Sequence, residues 1–213
     1  TPAFYGWEEN LVSAQEAASG EGVLIALLDN GLDLAHPSLQ GHLVQGWDFF
    51  HNVPNAAASG SSFGEAHGTH VAGIIAATAP GAQLMPLRIS EDGVAYVSTV
   101  IAAIKYTEDH GAVIANCSWS TVEDIPLLKR VMAASPLVFI TAAGNDGRCT
   151  DDVSVYPACF GLDNVISVTS VDDGGSLSYF STYGSHIDLA ARGNNVVSAM
   201  PGGQQGQLSG TYM

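Results

Sequence analysis

Three short aliphatic runs constrain this chain more than any other feature. Val23–Leu28, Val113–Cys117 and Leu137–Ala142 are nearly continuous in apolar residues. Each is too short for a helix and is followed by turn or polar residues, so each reads as a buried strand. Gln83–Ile89, Val165–Val171, Ile187–Ala191 and Val196–Met200 are also strand-like. Between them lie helical patterns. His67–Ala77 puts Val71, Ile74 and Ile75 on one face, and Val97–His110 stops at Gly111. Val122–Ala134 is entered through Pro126, near its first turn. Strands alternating with helices predict an α/β fold with a mainly parallel central sheet. Functional groups in such sheets gather at the carboxyl ends of the strands. Asp29 and Asn145 both fall there.

No linker, repeat or low-complexity tract divides the 213 residues, and 46% apolar content is enough for one large core. Six Lys+Arg face 21 Asp+Glu, a formal charge of -15. Such a surface repels phosphate backbones and anionic lipid, which excludes nucleic acid and the membrane surface as expected partners. No apolar run approaches a membrane span of about 20 residues. Thr1-Pro2-Ala3 carries neither an initiator Met nor a signal peptide, so a processed or trimmed product is expected. The balance suits a secreted or extracytoplasmic protein, or one from a saline or acidic setting.

Cys149 and Cys159 flank one loop and read either as a local disulfide or as two free thiols. Cys117 reads as a small buried hydrophobe. Asp29 ends a buried run, where a carboxylate is costly unless hydrogen-bonded. It reads as a turn residue or as a functional acid. His67 opens a helix in His67-Gly68-Thr69-His70-Val71-Ala72-Gly73. The spacing of His67 and His70 suggests a metal pair, but no third ligand of a zinc pattern follows, and His70 reads as a buried, hydrogen-bonded ring. Asn145, in Ala143-Gly144-Asn145-Asp146-Gly147, reads as a turn residue or as an amide donor to a developing oxyanion.

Taken together these segments resemble the subtilisin-like serine proteases. Asn116-Cys117-Ser118-Trp119-Ser120, Tyr156-Pro157-Ala158 (whose proline suits a cis bond), Asn164–Val168, Phe180-Ser181, Asp188–Ala191 and Ser209-Gly210-Thr211-Tyr212-Met213 follow in the family's order. The resemblance covers essentially the whole chain, 1–213, and roughly the first three-quarters of the family's domain. It implies a three-layer fold and peptide or protein substrates. It implies that Asp29 steadies the His67 imidazolium, that His67 is general base and then acid, and that Asn145 stabilises the oxyanion. By the same resemblance an extended peptide pairs with Ser118, Trp119 and Ser120 on one side and with Gly93, Val94 and Ala95 on the other. Tyr96 would wall an apolar subsite.

The departures are as informative. The nucleophile position holds Tyr212, whose phenol is a weaker nucleophile than an activated serine and reaches further. Its ring would fill the space of a scissile carbonyl. Ser209 is a poor stand-in. The sequence stops at Met213, before the helices that cover the sheet in the family. An exposed sheet face is therefore expected, to be covered by a second chain, a partner or a C-terminal continuation. Ser38 stands where the family often has Asp, and Ala76–Gly81 passes directly to the next strand. The family's tight calcium site is thus expected to be absent, with no metal and no cofactor. Asp146, Asp151 and Asp152 read as a solvated acidic loop rather than a weaker ion site. Arg192 stands where a proline is common, with no functional account. Two functions remain: a serine endopeptidase domain inactive as written, or a pseudoprotease that binds extended peptides or a partner. A nucleotide-binding protein is excluded, because no G-x-G-x-x-G or P-loop string follows a strand.

Overall fold

The computed structural model describes residues 13–59 and 65–213. Seven strands form the central sheet: β1 (Leu24–Asp29), β2 (Trp47–Asp48), β3 (Gln83–Arg88), β6 (Ile114–Cys117), β7 (Val138–Ala142), β8 (Val165–Val171) and β9 (Leu189–Arg192). Their order is β2-β3-β1-β6-β7-β8-β9, and every pairing is parallel. Parallel strands need crossover connections, which places helices on the faces and buries the aliphatic runs. Two hairpins lie outside the sheet: β4 (Ser90–Glu91) with β5 (Val94–Ala95), and β10 (Val196–Met200) with β11 (Gln204–Leu208).

The faces are covered unequally. Helices α2 (Val97–Asp109) and α3 (Pro126–Ala134) close one face, packing Val100, Ile104, Leu128 and Met132 against Leu28, Leu87, Cys117 and Phe139. Helix α1 (His67–Thr78) closes part of the other, with Val71, Ala72 and Ala76 against Ile25, Leu27 and Leu84. Further along that second face, Ile140, Ile166 and Val168 are only half-buried, while Val138 is 38% and Leu189 57% exposed. An apolar strip across β7–β9 is therefore open to solvent.

Several boundaries differ from the sequence reading. Residues 122–125 are not helical; Ile125, before Pro126, is extended as the proline ring requires, so α3 begins only at Pro126. The strand expected over Ile187–Ala191 is Leu189–Arg192. Of the face expected for helix α1, Val71 is buried but Ile74 and Ile75 are only half-buried; the buried residues are instead Gly68–Gly73 and Ala76, with the β10–β11 hairpin packed against His70 and Gly73. A Cβ at Gly73 would come within 2.4 Å of Ser198 Oγ, so only glycine allows this approach. Strand β11 was not foreseen. Its sequence is polar, but Gly202 and Gly203, at φ 80° and 72°, turn the chain back onto β10. The bond between Tyr156 and Pro157 is cis.

Cys149 and Cys159 are free thiols, which corrects the disulfide alternative. Cys159 Sγ accepts from Val155 N at 3.4 Å. Cys117 is buried, and burial pushes its thiol far above the ordinary range.

Candidate active site

Asp29 and His67 meet because two strand and helix ends converge. Asp29 ends β1 at its carboxyl edge and is 5% exposed. His67 is the first residue of α1. His67 Nδ1 lies 2.8 Å from Asp29 Oδ1, which also accepts from Asn30 N at 2.8 Å. Asn30 Oδ1 accepts from Gly68 N at 3.1 Å and so satisfies a free amide of the first helical turn. A Cβ on Gly68 would sit 2.3 Å from Gly31 O, so this glycine lets the helix close down on the Asp29 turn. Asp29 Oδ2 is buried with no hydrogen-bond partner among the described residues. Burial of the His67 ring lowers its pKa, but the Asp29 charge and hydrogen bond outweigh this, and the net shift is upward from 6.5. His70 is different. It is fully buried, its Nε2 bonds Val196 O at 3.0 Å, and burial leaves its pKa lowered. The two rings thus address separate partners.

The other half of the site is built around Asn145, just beyond β7. Thr211 N and Oγ1 both donate to Asn145 Oδ1, at 2.9 and 3.0 Å. Thr211 Oγ1 in turn accepts from Gly144 N at 3.0 Å. With its oxygen committed, the Asn145 side chain has its NH2 group left to donate, and it lies near the Tyr212 side chain. The Tyr212 ring meets His67 edge-on, with centroids 4.7 Å apart and planes at 75°. It lies across Gly210, where a Cβ would be 2.3 Å from the ring. Burial raises the phenol pKa, the nearby Asn145 amide lowers it, and the Asp29 charge adds to the rise; the net is upward from 10. Ser209 is not aimed at His67: its hydroxyl donates to Asn194 Oδ1 at 3.1 Å and accepts from Asn195 N at 2.8 Å.

A cavity of about 330 Å³ joins these halves, lined by Asp29, His67, Ser118, Trp119 and Tyr212 among others. It shares Ser90, Gly93 and Trp119 with a second cavity of about 400 Å³, floored by Val100, Ile125 and Leu128. Gly93, Ala95 and Tyr96 line one side of that second cavity, and Trp119 and Ser120 the other. Val94 is not in either lining and is 48% exposed. Ser118–Ser120 continues from β6 without being part of a strand, and Ser118 Oγ donates to Tyr212 O at 3.4 Å. Sequence reading missed Thr211 and Asn30, whose only sequence signal is a polar residue beside each recognised position.

The comparisons with known proteins agree with this geometry. The sequence profile of the subtilase family matches residues 20–213. The chain belongs to the subtilase family. Thermitase of Thermoactinomyces vulgaris is 37% identical, over 94% of this chain and 73% of that protein. The major intracellular serine protease of Bacillus subtilis (strain 168) is 32% identical, over 93% of this chain and 66% of that one. The crystal structure of a cold adapted subtilisin-like serine proteinase superposes with a TM-score of 0.78 at 26% identity, covering 92% of this chain and 72% of that one. This subtilase chain thus has the expected α/β fold and mainly parallel sheet.

Among the described residues, no group of three or more His, Cys, Asp or Glu side chains is arranged to hold a metal ion. Asp146, Asp151 and Asp152 are exposed, and Asp151 accepts from Ser185 N and Oγ. No described helix is long and apolar enough to cross a membrane. Arg192 pairs at the surface with Asp173.

Proposed function

We propose that this chain is a subtilisin-like endopeptidase domain whose catalytic centre is occupied by its own tyrosine. In this reading Asp29 orients and steadies His67, His67 is the general base, Asn145 is the oxyanion donor, and residue 212 is the nucleophile position. The carrying observation is that the Tyr212 ring lies against His67 and beside the Asn145 amide whose oxygen Thr211 holds. A scissile carbonyl would need that same amide and that same space. The chain as written is then without turnover. A fluorophosphonate probe followed by intact mass should give no adduct on this chain and one adduct on Tyr212→Ser, made in the full protein that carries it. An adduct on the unaltered chain, or a Tyr212→Ser protein that neither reacts nor cleaves casein, would sink the proposal.

The second reading is a peptide-binding or partner-binding module. The observation favouring it is that the cavity between Tyr96 and Trp119 stays open beside the filled centre. The substrate side is a polypeptide lying extended between Gly93–Ala95 and Ser118–Ser120. Calorimetry with unstructured apolar peptides tests this, and no heat at millimolar peptide would count against it.

Two further readings rest on less. The open strip along β7–β9 supports a covering segment, for which we take a C-terminal continuation, since Met213 lines a small cavity with Ile140 and Val168. Amides of Ile140 and Ile166 should then exchange more slowly in the full protein, and equal exchange would point to a second chain. An extracytoplasmic location rests on the charge of -15 alone, because relatives named as intracellular share the family. Cell fractionation decides it.

A further inference from the structure

Arg88 ends β3 beside Asp29 in the sheet register, and it is only 4% exposed. A buried guanidinium persists only where its donors are matched. Its Nη1 donates to Asp48 Oδ2 at 3.3 Å and to Ala57 O at 3.4 Å. Its Nη2 donates to Glu91 Oε1 and to Ser59 Oγ. His51 reaches the same two carboxylates, with Nδ1 2.9 Å from Asp48 Oδ2 and Nε2 3.4 Å from Glu91 Oε2. Asp48 Oδ1 accepts from Phe50 N and His51 N, at 2.8 and 2.9 Å, which fixes the turn they occupy.

The object held by this cluster is the β4–β5 hairpin. The hairpin has two residue pairs, Ser90↔Ala95 and Glu91↔Val94, around a tip at Asp92 and Gly93. Ribbons this short do not keep a fixed position by their own pairing. Glu91, in the first strand, is tied to Arg88 and His51. Tyr96, just past the second, stacks on Phe50 with centroids 5.6 Å apart and planes at 21°. Both ends of the hairpin are thus fastened to the 48–51 turn, and the hairpin is one rim of the cavity that Trp119 and Ser120 face.

We infer that Arg88, with Asp48, Glu91 and His51, is a positioning cluster that sets the width of the groove for an extended peptide. This rests on the peptide-groove reading above. Arg88→Met leaves two carboxylates facing each other and can simply unfold the chain. Glu91→Gln is the better variant, because the Glu91 side chain is 25% exposed and the Arg88–Asp48 pair survives. Asp92→Asn at the tip makes the same charge change without touching Arg88.

Two quantities are measured on each variant: amide hydrogen exchange along the hairpin, and calorimetric affinity for an N-acetylated, C-amidated apolar tetrapeptide. We expect Glu91→Gln to speed exchange at Val94, whose amide the hairpin pairing protects, by about tenfold and to weaken the peptide by about 3- to 10-fold. Exchange in β1 and β3 should not change, which a merely destabilised fold would not produce. Asp92→Asn should move neither. Unchanged hairpin exchange in Glu91→Gln, or an equal response in Asp92→Asn, overturns the inference. If the unaltered chain binds no peptide, the groove reading falls and takes the affinity role with it. Hairpin exchange then still decides whether Arg88 holds the rim.

Discussion

The two halves of the site are built from the same kinds of parts and end in opposite states. The Asp29–His67 half is poised. A buried carboxylate, a histidine with a raised pKa and a glycine that permits close approach are held at 2.8 Å. The Asn145–Tyr212 half is filled. Its amide is oriented by Thr211, but the space between that amide and His67 holds the Tyr212 ring. The difference teaches that orientation and vacancy are separate requirements. Hydrogen bonds behind a catalytic amide fix where it points, while the residue in front decides whether anything can reach it.

The largest test of this contrast is Tyr212→Ser in the full protein. Vacating the filled half should raise peptide hydrolysis by about 10⁶-fold, the scale that nucleophile removal costs in subtilisin itself. Steady-state kinetics on an extended peptide measures it. In that background, Asn145→Ala should cost about 10²- to 10³-fold in kcat with little change in KM, again the scale known for the subtilisin amide. An unchanged kcat would show that the filled half has no donor role even when emptied.

Gly68→Ala attacks the poised half instead. The new methyl would meet Gly31 O and the Asn30 and Asp29 side chains, so the N-terminus of α1 must move. A loss of about 1–3 kcal/mol in denaturant unfolding is expected, with lengthening of the His67–Asp29 contact. The smallest effect is on pH. Because the folded pKa of His67 is raised, its stabilising contribution is full below the ordinary 6.5 and is lost as pH rises through the folded value. Thermal stability should therefore decline through that window, and His67→Gln should flatten the decline. An NMR titration of His67 that midpoints below 6.5 would contradict the coupling.

The sequence by itself determined the strand runs and the order of Asp29, His67 and Asn145. Those signals are local: an aliphatic run ended by Asp-Asn-Gly, a helix opened by His-Gly-Thr-His, and a strand exit rich in glycine. Family resemblance, rather than spacing, supplied their roles. Tertiary structure decided what local pattern could not. The Asp29–His67 bond joins residues 38 apart, and the Thr211–Asn145 bond joins residues 66 apart. Nothing in either segment alone specifies such a partner. The β11 strand formed from Gln-Gln-Gly-Gln-Leu because β10 lay ready to pair with it. Arg88 reads as an ordinary polar strand end in sequence. Only the folding of β3 beside the 48–51 turn buried its charge and made its pairing obligatory.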